Sequence, residues 1–488
     1  MTAPCSLAEW HTDCGREPSI RVGVVLPADE MRSLRIDLPP APYDLLVDGR
    51  PVGRMRDRAA ELHVGQRGVQ WRDDGGQTVA AGETLRLVAA APAPVQQGSG
   101  VRLHDVVTGR GFHWQKRVGF TFEGVLEFRA VAGRLLVVNE LGLEDYLQGV
   151  ITAEMSGRCP IEFLKTQCIV ARSWVLAHTE PKHTDLPIDR CNDDCCQRYQ
   201  GTTSWRPSAA EAVIATRGQV VTDAAGHIID ANYSKSCGGI IEAPEYVWFT
   251  PKTCQRAAVD APVDSPCRRF LPVIEDNLDD FLGGGWLAGA DVFCSPNIVP
   301  DRDLPRYLGS VDEGGGHFRW TVTYSRDQFE NVLRRKLARV FAEPGEPASV
   351  EAGRILVADL PPREVACRVP AIARLSDLRV VQRGPSGRAC ELEIEYEDRA
   401  GRRCRVGIRS EYRIREVLHE KFLYSSAFKV SIERGGDGTP AAISLIGAGW
   451  GHGAGMCQIG ALGMAVRGYS CRDILTHYFA GVEIRALY

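Results

Sequence analysis

Three stretches of the chain hold residue types that do chemistry. In GVITAEMSGRCPIEFLKTQCIVARSW, residues 149–174, Glu154 ends one apolar-patterned run, and a Gly, a Cys and a Pro separate it from a second. A carboxyl among apolar neighbours tends to stay protonated, because burial disfavours its charged form, and the partial negative charge at a helix C-terminus works in the same direction. A protonated Glu near neutral pH is what a general acid needs. By spacing alone the plainer reading is a solvated helix-end residue. In GWGHGAGMCQ, residues 449–458, glycines alternate with other residues, so the backbone can approach a ligand closely. The pattern is neither a phosphate-binding loop nor a dinucleotide fingerprint, which argues against a nucleotide or other organic cofactor. Trp450 offers an apolar plate and His452 and Gln458 offer hydrogen bonds, a set that suits a sugar-binding cleft; Tyr146 joins them as a candidate substrate contact. A tight turn that needs Gly to pack is the alternative. In HTDLPIDRCNDDCCQRYQG, residues 183–201, His183, Cys191, Cys195 and Cys196 are ligands that zinc prefers. The spacing is not that of a zinc finger, adjacent cysteines crowd one metal, and Cys237 is a reserve ligand. A loop disulfide or free thiols are the alternatives.

These residues need elements to hold them. Residues 20–135 read as a strand-rich region, in RVGVVL, SLRIDL, DLLVDG, TLRLVA, GVLEFRAV and RLLVVNEL, divided by Gly, Pro and Asp turns. In VLEFRA, Leu126, Phe128 and Ala130 alternate with polar partners, the pattern of a half-buried strand. The period then becomes helical. Tyr146, Leu147, Val150 and Ile151 share a stripe, and after Pro160 so do Ile161, Leu164, Cys168, Ala171 and Val175. Glu162 falls in the first turn of that second helix, where it complements the dipole.

The expected fold class is α+β: strand-rich lobes with a helical active-site layer. The expected segments are a tail at 1–19, the strand-rich region 20–135, a catalytic region 136–250 with Glu154, an insertion with an amphipathic helix at 251–350, and a β-rich region 351–488 whose C-terminal glycine loop and helices complete the cleft. Ser325 is the expected cap of the amphipathic helix. A net charge of -4 and the lack of a basic run argue against nucleic acid. No apolar stretch reaches the roughly 18–20 residues that span a bilayer. The first residues lack the basic start and apolar block of a secretion signal, which by itself points to the cytoplasm.

Six blocks in order resemble the SpoIID/LytB family, named for stage II sporulation protein D: VVNELGLEDYLQGVITAEM, PIEFLKTQCIVARSW, CCQRYQG, AVIATRGQVVTD, SCGGIIEAPEYVW and GWGHGAGMCQIGALGMAVRGYSCRDILTHYF. The resemblance implies a lytic transglycosylase that cuts peptidoglycan glycan strands between N-acetylmuramic acid and N-acetylglucosamine, with Glu154, in the A-E-M block, as the catalytic acid. It points to zinc at the segment containing His183, since some members bind zinc there. It also implies a cell-envelope or periplasmic location and a cell-wall amidase as a partner, because some relatives are amidase enhancers. A non-catalytic wall-binding protein and a zinc or redox module are the competing classes. The chain departs from the family pattern at Ser234, where His is common, at Cys237 and Cys457, where Ser is common, and at Cys195, where a His is common.

Overall fold

The computed structural model describes residues 5–11, 14–91, 94–112, 114–177, 182–283, 291–309, 315–342, 355–358, 371–436 and 438–488. They form two compact units: Met1–Asp230 with Pro305–Glu313 and Glu483–Tyr488, and Ala231–Leu304 with Gly314–Val482.

In the first unit, short branched strands build two sheets. One has the spatial order Cys5–Ser6, Pro18–Val25, Arg134–Gly142, Val125–Val131, Thr84–Ala89, Tyr43–Val47 and Arg50–Met55, and Arg190–Cys191 adds to Pro18–Val25 in parallel. The other runs Lys116–Phe122, Val101–Thr108, Ser33–Leu38, Arg58–Gly65, Gly68–Arg72 and Thr78–Gly82. Ser33–Leu38 has the expected period of two: Leu34, Ile36 and Leu38 are buried and Ser33 and Arg35 exposed. Val125–Val131 departs from it, because Glu127 is buried between its apolar neighbours while Ala130 is half-exposed. Arg21 and Arg129 pair with Glu127 at 2.9 and 2.5 Å, which is how a charge can occupy a core-facing position.

The segment boundaries expected from sequence differ from those of the fold. Cys5–Ser6 pairs with Pro18–Ser19, so residues before 20 are part of the sheet rather than only a tail. Strand Arg134–Gly142 runs directly into helix α1 (Leu143–Glu154) within one unit, so position 135 is no domain boundary. α1 is buried on nearly every face, beyond its apolar stripe, and the burial takes in Glu144 and Glu154 as well. Helix α2 (Ile161–Ala177) begins after Pro160, and α3 (Pro207–Ala215) leads into strand Gln219–Thr222, which pairs with Glu483–Ala486. Arg172 on α2 and Glu144 on α1 form a buried two-pronged ion pair, at 2.9 and 2.6 Å. Tyr488 Oη and the Gly218 N–H also donate to Glu144, at 2.7 and 3.2 Å.

In the second unit, helix α4 (Arg326–Ala342) is the expected amphipathic helix. Ser325 caps it in a reciprocal pair with Gln328, each side chain accepting the other's backbone N–H, at 3.3 and 2.9 Å. Phe329, Val332, Leu333 and Leu337 on α4 share a core with Leu375, Leu392, Ile394, Val406 and Leu445. Those partners come from two antiparallel sheets, one with the order Ile355–Ala358, Arg403–Ile408, Ala389–Asp398 and Ile372–Arg383, the other Arg319–Ser325, Pro440–Ala448 and Phe428–Arg434. A short helix α5 (Glu411–Val417) follows the first sheet, and the glycine loop leads into α6 (Gln458–Val466) and α7 (Cys471–Tyr478). Antiparallel sheets with helices segregated from them make the fold α+β. No helix among the described residues is long and apolar enough to cross a membrane.

Candidate active site

Glu154 is the last residue of α1, and only 6% of it is exposed. The turn that follows is fixed by the segment around Leu308: Met155 forms a bridge with Leu308, and the Ser156 N–H donates to Tyr307 O at 2.8 Å. The carboxylate accepts the backbone N–H of Arg198 at 3.0 Å. That donor belongs to the cysteine loop, so the two constellations read separately from sequence form one assembly.

The loop is laid against α1 by several contacts. Gly149 has no side chain to hold it away: a Cβ there would sit 2.5 Å from the Tyr199 ring and 2.9 Å from Gly201 O. Tyr199 packs on Tyr146 with ring centroids 5.0 Å apart and donates its hydroxyl to Asn139 Oδ1 at 2.6 Å. Tyr146 donates to Gln197 Oε1 at 3.2 Å, and Gln197 Nε2 donates to Ala171 O on α2 at 3.2 Å. Arg198 itself lies over the Trp114 ring, 4.2 Å from its centroid, and its Nε donates to Asp194 Oδ1 at 2.8 Å. Farther along the loop, the Asp193 carboxylate accepts the N–H groups of Gly109 and Arg110 at 2.8 and 2.7 Å. Arg110 reaches Asp29 and Asn192.

Asp194 and Arg198 are site residues that the sequence reading missed. Their signal lay in the loop itself, two charged residues flanking the Cys-Cys pair. Burial pushes the Asp194 carboxyl up to about 7, against the pull of Arg198, and the neighbouring charges of Asp193 and Glu154 add to the rise.

The four expected metal ligands do come together. One ligand atom each from His183, Cys191, Cys195 and Cys196 lies within 4.8 Å of the others. Cys191 Sγ is 3.0 Å from Cys195 Sγ, which in turn is 3.7 Å from His183 Nε2. Cys191 rests on an apolar floor of Leu26, Leu136, Val138 and Ile188, with Cys196 against its edge. Hydrogen bonds from the Cys191 and Cys195 thiols, with a smaller one from His183, hold the Cys196 thiol well below the usual range. One lowered thiol beside two more sulfurs and an imidazole is a donor set that fits zinc. Neither of the adjacent cysteines is excluded, so the reserve ligand is unnecessary; Cys237 belongs to the second unit, among other partners.

Of the expected substrate contacts, Tyr146 is fully buried and Gln458, the first residue of α6, is 1% exposed. Both are core residues here and offer no surface to a ligand; the helical stripe through Tyr146 pointed inward. Trp450 and His452, in the second unit, are half-exposed. Trp450 stacks on Tyr424 with centroids 4.7 Å apart and meets the His317 ring at a tilt, 4.6 Å away. His452 packs on Trp248 at 4.9 Å, and its Nδ1 accepts the Ala454 N–H at 3.2 Å, which leaves the ring proton on Nε2. Burial pushes the His452 pKa down to about 3, helped by Arg415, Arg388 and Lys252 and opposed by a hydrogen bond to the Tyr233 backbone, so the ring is neutral and its one N–H is engaged there. The loop needs its glycines: Gly453 has φ +74°, and a Cβ there would run into the Arg388 guanidinium.

Residues 131–222, which carry Glu154 and the cysteine loop, match the family model described as stage II sporulation protein, SpoIID. Over this stretch the chain is SpoIID-like. Residues 354–455 match a domain of unknown function, DUF8618. An uncharacterised protein of Brachyspira hyodysenteriae is 26% identical over 396 residues, spanning 80% of this chain and 81% of its own length. A Bacillus subtilis (strain 168) protein named amidase enhancer is 24% identical over 353 residues, 69% of this chain but 40% of its own length. The SpoIID-like stretch contains α1, α2, α3 and the loop that orients Glu154, while Trp450 and His452 lie beyond it.

Proposed function

We propose that the chain is a cell-wall protein of SpoIID/LytB type and acts as a peptidoglycan lytic transglycosylase. It would cut the bond between N-acetylmuramic acid and N-acetylglucosamine in peptide-free strands and leave 1,6-anhydro ends. The observation that carries this reading is the setting of Glu154: a nearly enclosed carboxyl at the end of a core helix, aimed by the Arg198 N–H, inside the SpoIID-like stretch. Glu154 gives its proton to the glycosidic oxygen as the C1–O bond breaks. It then takes the proton of the sugar's C6 hydroxyl, whose oxygen closes onto C1. No external water is consumed at the cut, so no second carboxylate is needed to activate one. The C6 oxygen is already tethered near C1, which supplies proximity.

His183, Cys191, Cys195 and Cys196 would hold a zinc ion, which when bound closes the loop that presents the Arg198 N–H. Trp450 is the group suited to a sugar face. The location that goes with this reading is the cell envelope. The test is incubation of the purified protein with peptide-free glycan strands: mass spectrometry detects 1,6-anhydro ends with the wild type and none with Glu154→Gln.

The relative named amidase enhancer favours a second reading, a non-catalytic wall-binding protein that works with a cell-wall amidase. That protein would bind glycan and raise amidase activity equally well with Glu154→Gln.

A further inference from the structure

A second group of soft ligands lies in the second unit. Cys237 follows the short strand Tyr233–Ser234, Asp260 follows strand Ala258–Val259, Cys294 lies in the irregular stretch after residue 290, and Cys457 ends the short strand Met456–Cys457 and caps α6. All four are buried, none more than 2% exposed, and one ligand atom from each lies within 4.8 Å of the others. Cys237 Sγ is 3.6 Å from Cys294 Sγ and 3.2 Å from Asp260 Oδ2. We propose that Cys237, Asp260, Cys294 and Cys457 form a closed structural site for one zinc ion.

Size supports a single ion. Zinc–sulfur bonds of about 2.3 Å set tetrahedral ligand sulfurs roughly 3.8 Å apart. An iron–sulfur cluster, with its ligand sulfurs on separate iron atoms, needs a wider cage. Three sulfurs also exclude magnesium and calcium, which take oxygen. The surroundings resemble the outer shell of a metal site. Asp260 Oδ1 accepts the Tyr478 hydroxyl at 2.9 Å and lies 3.1 Å from His477 Nε2, leaving Oδ2 turned to the sulfurs. Backbone N–H groups already point at sulfur: Cys237 N and Gly460 N at Cys457 Sγ, 3.2 and 3.3 Å, and Gly239 N at Cys237 Sγ, 3.4 Å. Such donors, and the position of Cys457 at the N-terminus of α6, favour thiolates. A zinc ion with three thiolates and a carboxylate is net negative. The Arg319 guanidinium, held by the carbonyls of Gly238, Phe318 and Phe281, lies close enough to Cys237 and Cys294 to offset part of that charge. The ion would tie together chain segments far apart in sequence and fix the start of α6 just after the glycine loop. Nothing in this site depends on glycan cleavage.

The test uses the full chain, purified from zinc-supplemented culture with a phosphine reductant and no chelator. Zinc per chain is measured for a loop variant, Cys191→Ser with Cys195→Ser, and for that variant with Cys294→Ala added. The loop variant is expected to keep about one zinc per chain, and the added substitution to bring it near zero. If the latter variant does not fold, X-ray absorption at the zinc edge of the loop variant decides: three sulfurs at about 2.3 Å and one oxygen at about 2.0–2.2 Å are expected. A loop variant without zinc, zinc with fewer than three sulfur ligands, or a Cys237–Cys294 disulfide in the reduced preparation would overturn the assignment.

Discussion

Gly149→Ala is a sharp probe of how Glu154 is aimed. The new Cβ would sit 2.5 Å from the Tyr199 ring, where ordinary contact is about 3.5 Å, so the ring must retreat by about 1 Å. It has little room to do so. Phe122 and Tyr146 lie against it, with centroids 5.7 and 5.0 Å away, and its hydroxyl is tied to Asn139. Gly201 O, 2.9 Å from the same Cβ, blocks the backbone. The strain passes to Arg198, the residue before Tyr199, whose 3.0 Å hydrogen bond to Glu154 would stretch to about 4 Å and break. Overpacking costs about 1–3 kcal/mol. Replacing Gly by Ala inside a helix returns about 1 kcal/mol. The net is a loss of roughly 0–2 kcal/mol, seen as a fall of a few degrees in Tm. A misplacement of this size should lower the rate of glycan cutting about 100-fold. Calorimetry, hydrogen exchange at the Arg198 amide and the rate of 1,6-anhydro product formation read the three effects separately. A rise in Tm with unchanged Arg198 protection would refute the packing argument, because that is what the helix gain alone produces.

Four further outcomes follow from the same geometry. Arg172→Met leaves the buried Glu144 carboxylate without its counter-charge and should destabilise the protein by about 3–5 kcal/mol in urea unfolding, while adding Glu144→Leu should recover most of the loss. Burial pushes the Glu242 carboxyl up to about 7, although Ser386 and Arg388 pull it the other way. The folded state therefore binds a proton that the unfolded chain releases above about pH 4.5, so stability falls as pH rises from there to about 7 and then levels. Glu242→Gln should remove that slope, on the order of 3 kcal/mol across the window, from urea midpoints measured against pH. Trp450→Ala should weaken retention on immobilised glycan strands about tenfold, roughly the worth of one aromatic face, with an unchanged circular dichroism spectrum. Cys195→Ser should lower zinc content and loosen residues 195–198 in hydrogen exchange; unaltered protection there would separate the cysteines from the loop's order.

Local signals in the sequence were enough where one element decides the pattern. Ser33–Leu38 and Thr84–Ala89 match their expected bounds because period-two burial sits between turn residues, and α4 has both its apolar face and its Ser325 cap written in. Strands such as Arg50–Met55 and Thr78–Gly82 were missed because they are largely exposed and lack an apolar face. Pro440–Ala448 was missed because small residues and a glycine mask its alternation. Glu127 defeated the alternation rule because, besides Arg129 on its own strand, Arg21 and Arg86 reach it from other strands, which no local pattern shows. At the site, the residue types gave Glu154 and the metal-ligand candidates. Their union through the Arg198 N–H was not legible, because a backbone donor leaves no mark on sequence. The burial of Tyr146 and Gln458 was visible in part, since Tyr146 shares the apolar stripe of α1. The cluster of Cys237, Asp260, Cys294 and Cys457 was hidden because its members are spread over more than two hundred residues and no spacing rule joins them.

The central claim is that one carboxyl, Glu154, transfers the proton in a cut that consumes no water. The most direct measurement is digestion of peptide-free glycan strands in oxygen-18 water, with wild type and Glu154→Gln compared by mass spectrometry. The account predicts 1,6-anhydro ends without the heavy isotope for the wild type and no product for the variant. Heavy-isotope reducing ends, or equal product from both proteins, would contradict it.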